Sequence, residues 1–177
     1  NSKTHFFGSI VSVYEPSGRN TEFLIIDGQQ RLTTMSLLFL ALYNLLEEKI
    51  IISEDESLKD QIYEDFLVDK YQPQEKRMKL KPIKNDQKAF SKLFNSKDDY
   101  IKDSNLTINY SYFYERIQKQ EITIDELFDA ICRLEIINIT LNNEDNPQLI
   151  FESLNSTGLD LSEGDKIRNY ILMGLPK

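Results

Sequence analysis

The chain has 177 residues, 40% of them hydrophobic and 28% charged, a size and apolar share that suit one soluble domain with a sizeable core. Those proportions exclude a disordered or fibrous chain. The net charge of −8 and pI of about 4.8 exclude a standing electrostatic footprint for nucleic acid, so any DNA contact is local or delegated.

His5 to Tyr14 and Thr21 to Ile26 are rich in Phe, Ile and Val and flank "EPSGRN", which carries Pro16 and Gly18. This predicts two strands joined by a turn. His5 is the only histidine, and alone on a strand it is read as structural. From Gln29 to Glu48, Leu32, Met35, Leu38, Phe39, Leu42, Leu45 and Leu46 recur at helical spacing while Leu37, Leu40 and Ala41 fill the other faces, which predicts a helix buried nearly all round. Its longest apolar run, Met35 to Leu46, is broken by Ser36 and Asn44 and falls short of the roughly 20 residues of a membrane span. No membrane partner is expected. No signal peptide precedes the run, and Asn1 reads as a cut edge.

Helices are predicted around Ser57 to Lys70, Asp86 to Phe94 and Leu106 to Gln120, with a short extended "RMKLKP" between the first two. Tyr110, Tyr112, Phe113 and Tyr114 are able to stack on bases, yet their helical spacing reads as packing. Thr123 with Glu126 three residues on is a capping-box pattern that predicts a helix. Cys132, on that helix, is the only cysteine, which rules out a disulfide framework or a cysteine-built zinc site and fits a cytoplasmic protein. A β-branched strand, Arg133 to Leu141, follows. After "NNEDNP", Pro147 suits the first turn of a helix to about Leu154, and the loop "NSTGLDL" leads to a last helix after Ser162, where Asp165 has capping spacing. No repeat, low-complexity segment or strong linker divides the chain, so residues 1–177 are expected to form a single domain.

Two stretches carry chemistry. At Asp27 a strand gives way to the long helix, which collects unpaired N–H groups and the positive end of the helix dipole at one place, suited to an anion. Gly28 has no side chain to hold a phosphate off the backbone, Gln29 and Gln30 bring amide donors, and Arg31 brings a planar cation for bidentate phosphate contact. Thr33 and Thr34 add hydroxyls one turn on. The bland alternative is local: Asp27 and Gln30 have the spacing of a reciprocal cap, and Arg31 can pair with Asp27. A carboxylate at Asp27 would repel phosphate unless it ligates Mg²⁺ or caps the helix from the side. The second stretch, "FESLNSTGLDLSEGDKIRN", crowds Glu152, Asn155, Asp160, Asp165 and Arg168 around one short connection, which can equally be a plain helix-loop-helix corner.

Taken in order, "GSIV", "IIDGQQRLTTMSLL", "RMKLKP" and "IFESLNSTGLDLSEGDKIRNYIL" resemble the N-terminal domain family of GmrSD-type modification-dependent restriction systems. The family's DGQQR signature matches Asp27, Gly28, Gln29, Gln30 and Arg31. Its later signature matches Phe151, Glu152, Leu154, Asn155, Thr157, Gly158, Asp165, Arg168 and Asn169. The resemblance implies an α+β fold with a ParB/sulfiredoxin-like small sheet, a buried central helix and a mainly helical remainder. It further implies a nucleoside triphosphate with Mg²⁺ as cofactor and nucleotide hydrolysis coupled to restriction of foreign DNA in phage defence. An HNH-type nuclease domain would be a partner in the intact protein, which is also where DNA would be met.

On that reading Asp27, Gln30 and Arg31 are the catalytic candidates. Gly28, Gln29, Gln30, Arg31, Thr33, Thr34, Asn155 and Arg168 bind nucleotide, and Asp27 and Asp165 hold the metal. The alternative is a non-catalytic sensor that binds nucleotide or modified DNA in the same pocket and regulates an effector domain. The chain has no Trp, unlike the segment that family members usually carry before "FFGSI". It is therefore expected to be a fragment lacking that segment, with an unpaired sheet edge that invites self-association.

Overall fold

The first two strands form because β-branched and aromatic residues recur along both, from Phe6 to Tyr14 on one and from Thr21 to Ile26 on the other. In this computed structural model, which describes residues 4–17, 20–141, 145–146 and 149–150, β1 is His5–Ser17 and β2 is Asn20–Asp27. They pair antiparallel from Ser17↔Asn20 through Tyr14↔Phe23 to Val11↔Asp27. The hairpin is longer than the sequence suggests: Glu15, Pro16, Ser17 and Asn20 of "EPSGRN" continue the ladder, which leaves only residues 18–19 between the strands. Tyr14 and Phe23, directly opposite, meet edge to face with centroids 6.2 Å apart. A third strand, β3 (Leu134–Leu141), lies on the far side of β1, in the order β2-β1-β3. The N-terminal strand is thus central. Among the described residues the open edges belong to β2 and β3 rather than to β1, where an edge was expected.

The elements divide into two compact units, one spanning Gln30–Leu134 and the other built from Thr4–Gln29 and the described residues from Glu135 onward. The second holds the sheet, and Ile10, Val11 and Ser12 of the central strand are buried in it, as is Leu141 of β3.

The first unit is helical. Helix α1 (Gln29–Glu47) supplies Leu37, Phe39, Leu40, Ala41, Leu42 and Leu45 to its core. Four consecutive buried residues, 39 to 42, cover the whole circumference, as the sequence pattern predicts. The helix ends without glycine: Lys49 takes a φ of +56°, Ile50 N–H donates to Leu45 O (3.0 Å) and Lys49 N–H to Leu46 O (3.1 Å), the double bond of a Schellman stop.

The expected helix from Ser57 to Lys70 is shorter and irregular. Helix α2 (Leu58–Ile62) opens into a π-helical turn, Tyr63–Leu67, after which Val68 is extended and pairs with Met78. Leu58, Ile62 and Leu67 are all buried. The last step, five residues, overshoots an α turn but matches a π turn, so the widening keeps Leu67 on the core side. It also lays Phe66 flat on Phe39, centroids 4.1 Å apart, with Phe128 edge-on to both.

Helices α3 (Lys84–Lys92), α4 (Asn105–Gln118) and α5 (Ile124–Cys132) complete the unit. The capping box forms in full at α5, with Thr123 Oγ1 accepting from Glu126 N–H and the Glu126 carboxylate accepting from Thr123 N–H. On α4, Tyr110 and Tyr114 are buried and Phe113 packs against the core, as expected, whereas Tyr112 is 60% exposed. Polar contacts tie α4 to α1. Asn44 Nδ2 donates to Tyr110 Oη (2.7 Å), and Tyr114 Oη and Lys97 Nζ both donate to Glu48 Oε2 (2.5 and 2.9 Å). At the far end of the described chain, the Asn146 side chain accepts from Leu149 N–H (3.3 Å) and its carbonyl from Ile150 N–H (3.2 Å), the bonds of a helix N-cap. The remainder of that helix, the "NSTGLDL" loop and the helix after Ser162 lie outside the described residues.

Candidate functional site

The sheet pairing changes just before the turn that the DGQQR residues form. Val11 stands opposite Asp27 but Ser12 opposite Ile25, so Ile26 is an extra residue and β2 is bulged there. Consecutive carbonyls of a regular strand point to opposite sides. A bulge turns neighbouring peptide units the same way, and here both carbonyls are taken by one side chain: Gln29 Nε2 donates to Ile25 O and to Ile26 O, each at 2.9 Å. Both partners are acceptors, which fixes the orientation of the amide. Gln29 was expected to offer its donors to a ligand, and in this structure they are spent on the end of β2.

Gly28 links the bulge to the helix with a φ of +95°. A Cβ placed there would lie 3.0 Å from Ile10 Cγ1 and 3.0 Å from Ser9 O. The glycine is therefore demanded by backbone conformation and by the close passage of β1. Openness toward a phosphate, the reason suggested by sequence, is not needed to explain it. Helix α1 begins at Gln29, which puts Gly28 at the cap and Asp27 one residue earlier, as the last residue of the strand.

Beyond the glycine, Gln30 and Thr34 are exposed and Arg31 and Thr33 half-buried, with Arg31 Nε shielded from water. No acidic residue lies in the first turn of α1, so nothing within the helix itself opposes an anion at its positive end. Asp27 is half-buried. Among the described residues no group of three or more His, Cys, Asp or Glu is arranged to hold a metal. Mg²⁺ typically takes one or two carboxylates together with substrate phosphates, so Asp27 alone fits the protein's share of such a site. Asn155, Asp165 and Arg168 lie outside the described residues.

The other chemistry-bearing residues are accounted for by structure. His5 is an exposed residue of β1. Cys132 is exposed at the end of α5, and partial burial of its sulfur, then the Asp129 carboxylate, push the thiol above its ordinary value, away from nucleophilic activation. No helix of the described residues is long and apolar enough to cross a membrane.

What these observations define is an α+β protein whose bulged strand turns through a positive-φ glycine into the exposed, acid-free start of a buried helix. The family model described as "GmrSD restriction endonuclease, N-terminal domain" matches residues 2–172, nearly the whole chain, and the chain belongs to that family. A comparison with curated proteins gives no match.

Proposed function

We propose that this chain binds a nucleoside triphosphate at the β2–α1 turn and hydrolyses it as part of a DNA restriction protein, with the turn embedded in a ParB/sulfiredoxin-like arrangement. The observation that carries this reading is the junction itself. A strand stopped by a bulge, a φ of +95° at Gly28 and a helix start with no acid in its first turn together present N–H donors at the positive end of α1.

In this reading Arg31 clamps the phosphates bidentately and Gln30, exposed and one residue before it, positions the attacking water or a terminal phosphate oxygen. Thr33 and Thr34 add hydroxyl contacts one turn along. Asp27 holds Mg²⁺ from the strand side, and the ion, when bound, neutralises charge that builds on the transferred phosphoryl group. Phosphoryl transfer asks for positioning and charge stabilisation rather than a protein nucleophile, which suits a site of amides, hydroxyls and one guanidinium. Asn155, Asp165 and Arg168 are the residues assigned to complete the pocket. The partners of the intact protein are DNA and an HNH-type nuclease domain.

Phosphate release from the full-length protein, compared across nucleotides with and without Mg²⁺ and DNA, tests the reading. Release that requires Mg²⁺ and falls on the order of a hundredfold in Asp27→Asn supports it, since Asn keeps the side chain's size and a carbonyl acceptor but not the ligand charge. Nucleotide binding without any release identifies the domain as a sensor that regulates an effector instead.

A further inference from the structure

One motif of the sequence has no part in the site above: "RMKLKP" and the helix that follows it. From Lys76 to Lys92 the chain carries Lys76, Arg77, Lys79, Lys81, Lys84, Lys88 and Lys92 against a single acid, Asp86, a net charge of +6 in a protein of net −8. Ordinary solvated helix faces mix both signs. Here seven cations meet one acid within the segment, and the acids beside it, Glu64, Asp65 and Asp69, belong to the preceding stretch of chain.

Beyond the 3-10 turn Gln74–Lys76, Arg77 keeps helical backbone angles (φ −66°, ψ −32°) and Lys79 sits at a bend, and Arg77, Lys79 and Lys81 are exposed while Met78 and Leu80 pack against the core. In α3, Lys84, Lys88 and Lys92 recur every fourth residue, at steps of about 6 Å, while Ala89 and Phe90 face the core. Lys88 is exposed and Lys92 half-buried. Two of its cations, Lys79 and Arg77, anchor the segment to the backbone. Lys79 Nζ donates to Glu64 O and Asp65 O (2.8 and 2.9 Å) and Arg77 Nε to Gln72 O (3.0 Å), all neutral carbonyls. The neighbouring carboxylate of Glu64 is already paired with Lys70 at 2.7 Å, just outside the segment.

We propose that Lys76 to Lys92 is a docking ribbon for the phosphate backbone of duplex DNA, the surface through which an acidic chain makes local contact with its polyanionic target. The proposal rests on DNA being what the restriction protein acts on, as read above, but not on nucleotide binding at the β2–α1 turn. Charge complementarity selects the partner: repeated cations without a reading element suit sequence-independent phosphate contacts, which position rather than specify.

The test is fluorescence anisotropy of a duplex of about 20 base pairs with the full chain across a salt series, without nucleotide. The parent is compared with Lys76→Gln/Lys88→Gln/Lys92→Gln and with a control triple of exposed lysines elsewhere, Lys49→Gln/Lys102→Gln/Lys119→Gln. Each phosphate contact adds about 0.9 to the slope of log K against log salt, so the ribbon triple is expected to lower the slope by about 2 to 3. Its affinity near 50 mM salt should fall at least tenfold, with the thermal midpoint and nucleotide affinity unchanged. The control triple should bind like the parent. Equal losses in both triples, an unchanged slope in the ribbon triple, or no duplex binding by the parent each overturn the proposal. Loss of nucleotide binding with DNA binding intact would instead count against the turn.

Discussion

Replacing Gln29 separates a side chain that holds the turn from one that merely sits at a helix start. Its amide makes two bonds of 2.9 Å to the carbonyls on either side of the bulge, at a solvent-accessible position. Gln29→Met keeps length and helix propensity but removes both donors. Each neutral bond is worth about 0.5–1.5 kcal/mol net, and the freed carbonyls regain water here, so the expected loss is about 1–2 kcal/mol in total. Gln29→Glu is sharper because the two possible roles give opposite signs. A carboxylate at the first position of a helix ordinarily stabilises by about 0.3–1 kcal/mol through the dipole. Facing two carbonyl oxygens with no donor, it should instead destabilise by about 2 kcal/mol at neutral pH. Those carbonyls disfavour the charged form, so the folded pKa of the introduced Glu lies above its unfolded value and the deficit shrinks as pH falls and the acid gains an O–H to donate. Urea denaturation at constant m-value reads both effects. A Gln29→Glu variant as stable as the parent or more so, with Gln29→Met within about 0.3 kcal/mol of it, would refute the clip.

Other perturbations test neighbouring parts of the account. Gly28→Ala forces a Cβ to within 3.0 Å of a backbone oxygen at a φ of +95°, and a loss of about 2–4 kcal/mol in denaturation is expected; no loss would mean that β1 does not pass where it is placed. Lys49→Gly relieves a left-handed residue at the end of α1 and should stabilise by up to about 1 kcal/mol, seen as a higher thermal midpoint, whereas a drop would contradict the Schellman stop. Although partial burial opposes it, hydrogen bonds from Tyr114 and Lys97 hold the Glu48 carboxyl below its ordinary value of 4.5. That stability is present above the ordinary value and lost as pH falls through the lower folded one. The midpoint of urea denaturation should therefore decline below about pH 4.5, and Glu48→Gln should flatten its share of the decline. A profile identical in parent and variant would remove Glu48 from the network.

Much of the helical unit was legible because its signals are local. The apolar positions of α1 and the Thr123–Glu126 box depend on side-chain spacing within a few residues, and both formed as read. The π turn at Tyr63–Leu67 was not legible, since it depends on Val68 pairing with Met78 ten residues away and on Phe66 meeting Phe39. At the site, the strand-glycine-helix order was plain from DGQQR. The bulge at Ile26 was not, because register is a property of two strands, and without the bulge nothing in the sequence assigns Gln29 to carbonyls rather than to a ligand. Gly28 was singled out correctly for its lack of a side chain, but the neighbour that requires this, Ile10 with Ser9 on β1, is eighteen residues away and came only with the fold.

The central claim is that the β2–α1 turn binds nucleotide phosphates through Arg31. Calorimetric titration of the full-length protein with ATP and Mg²⁺, parent against Arg31→Ala and Arg31→Lys, measures it most directly. The account predicts saturable binding in the parent, a loss of at least tenfold in Arg31→Ala under conditions where denaturation shows the variant folded, and partial recovery in Arg31→Lys, which restores charge but not the bidentate fork. Equal affinity in all three proteins, or no heat of binding in the parent, would contradict it.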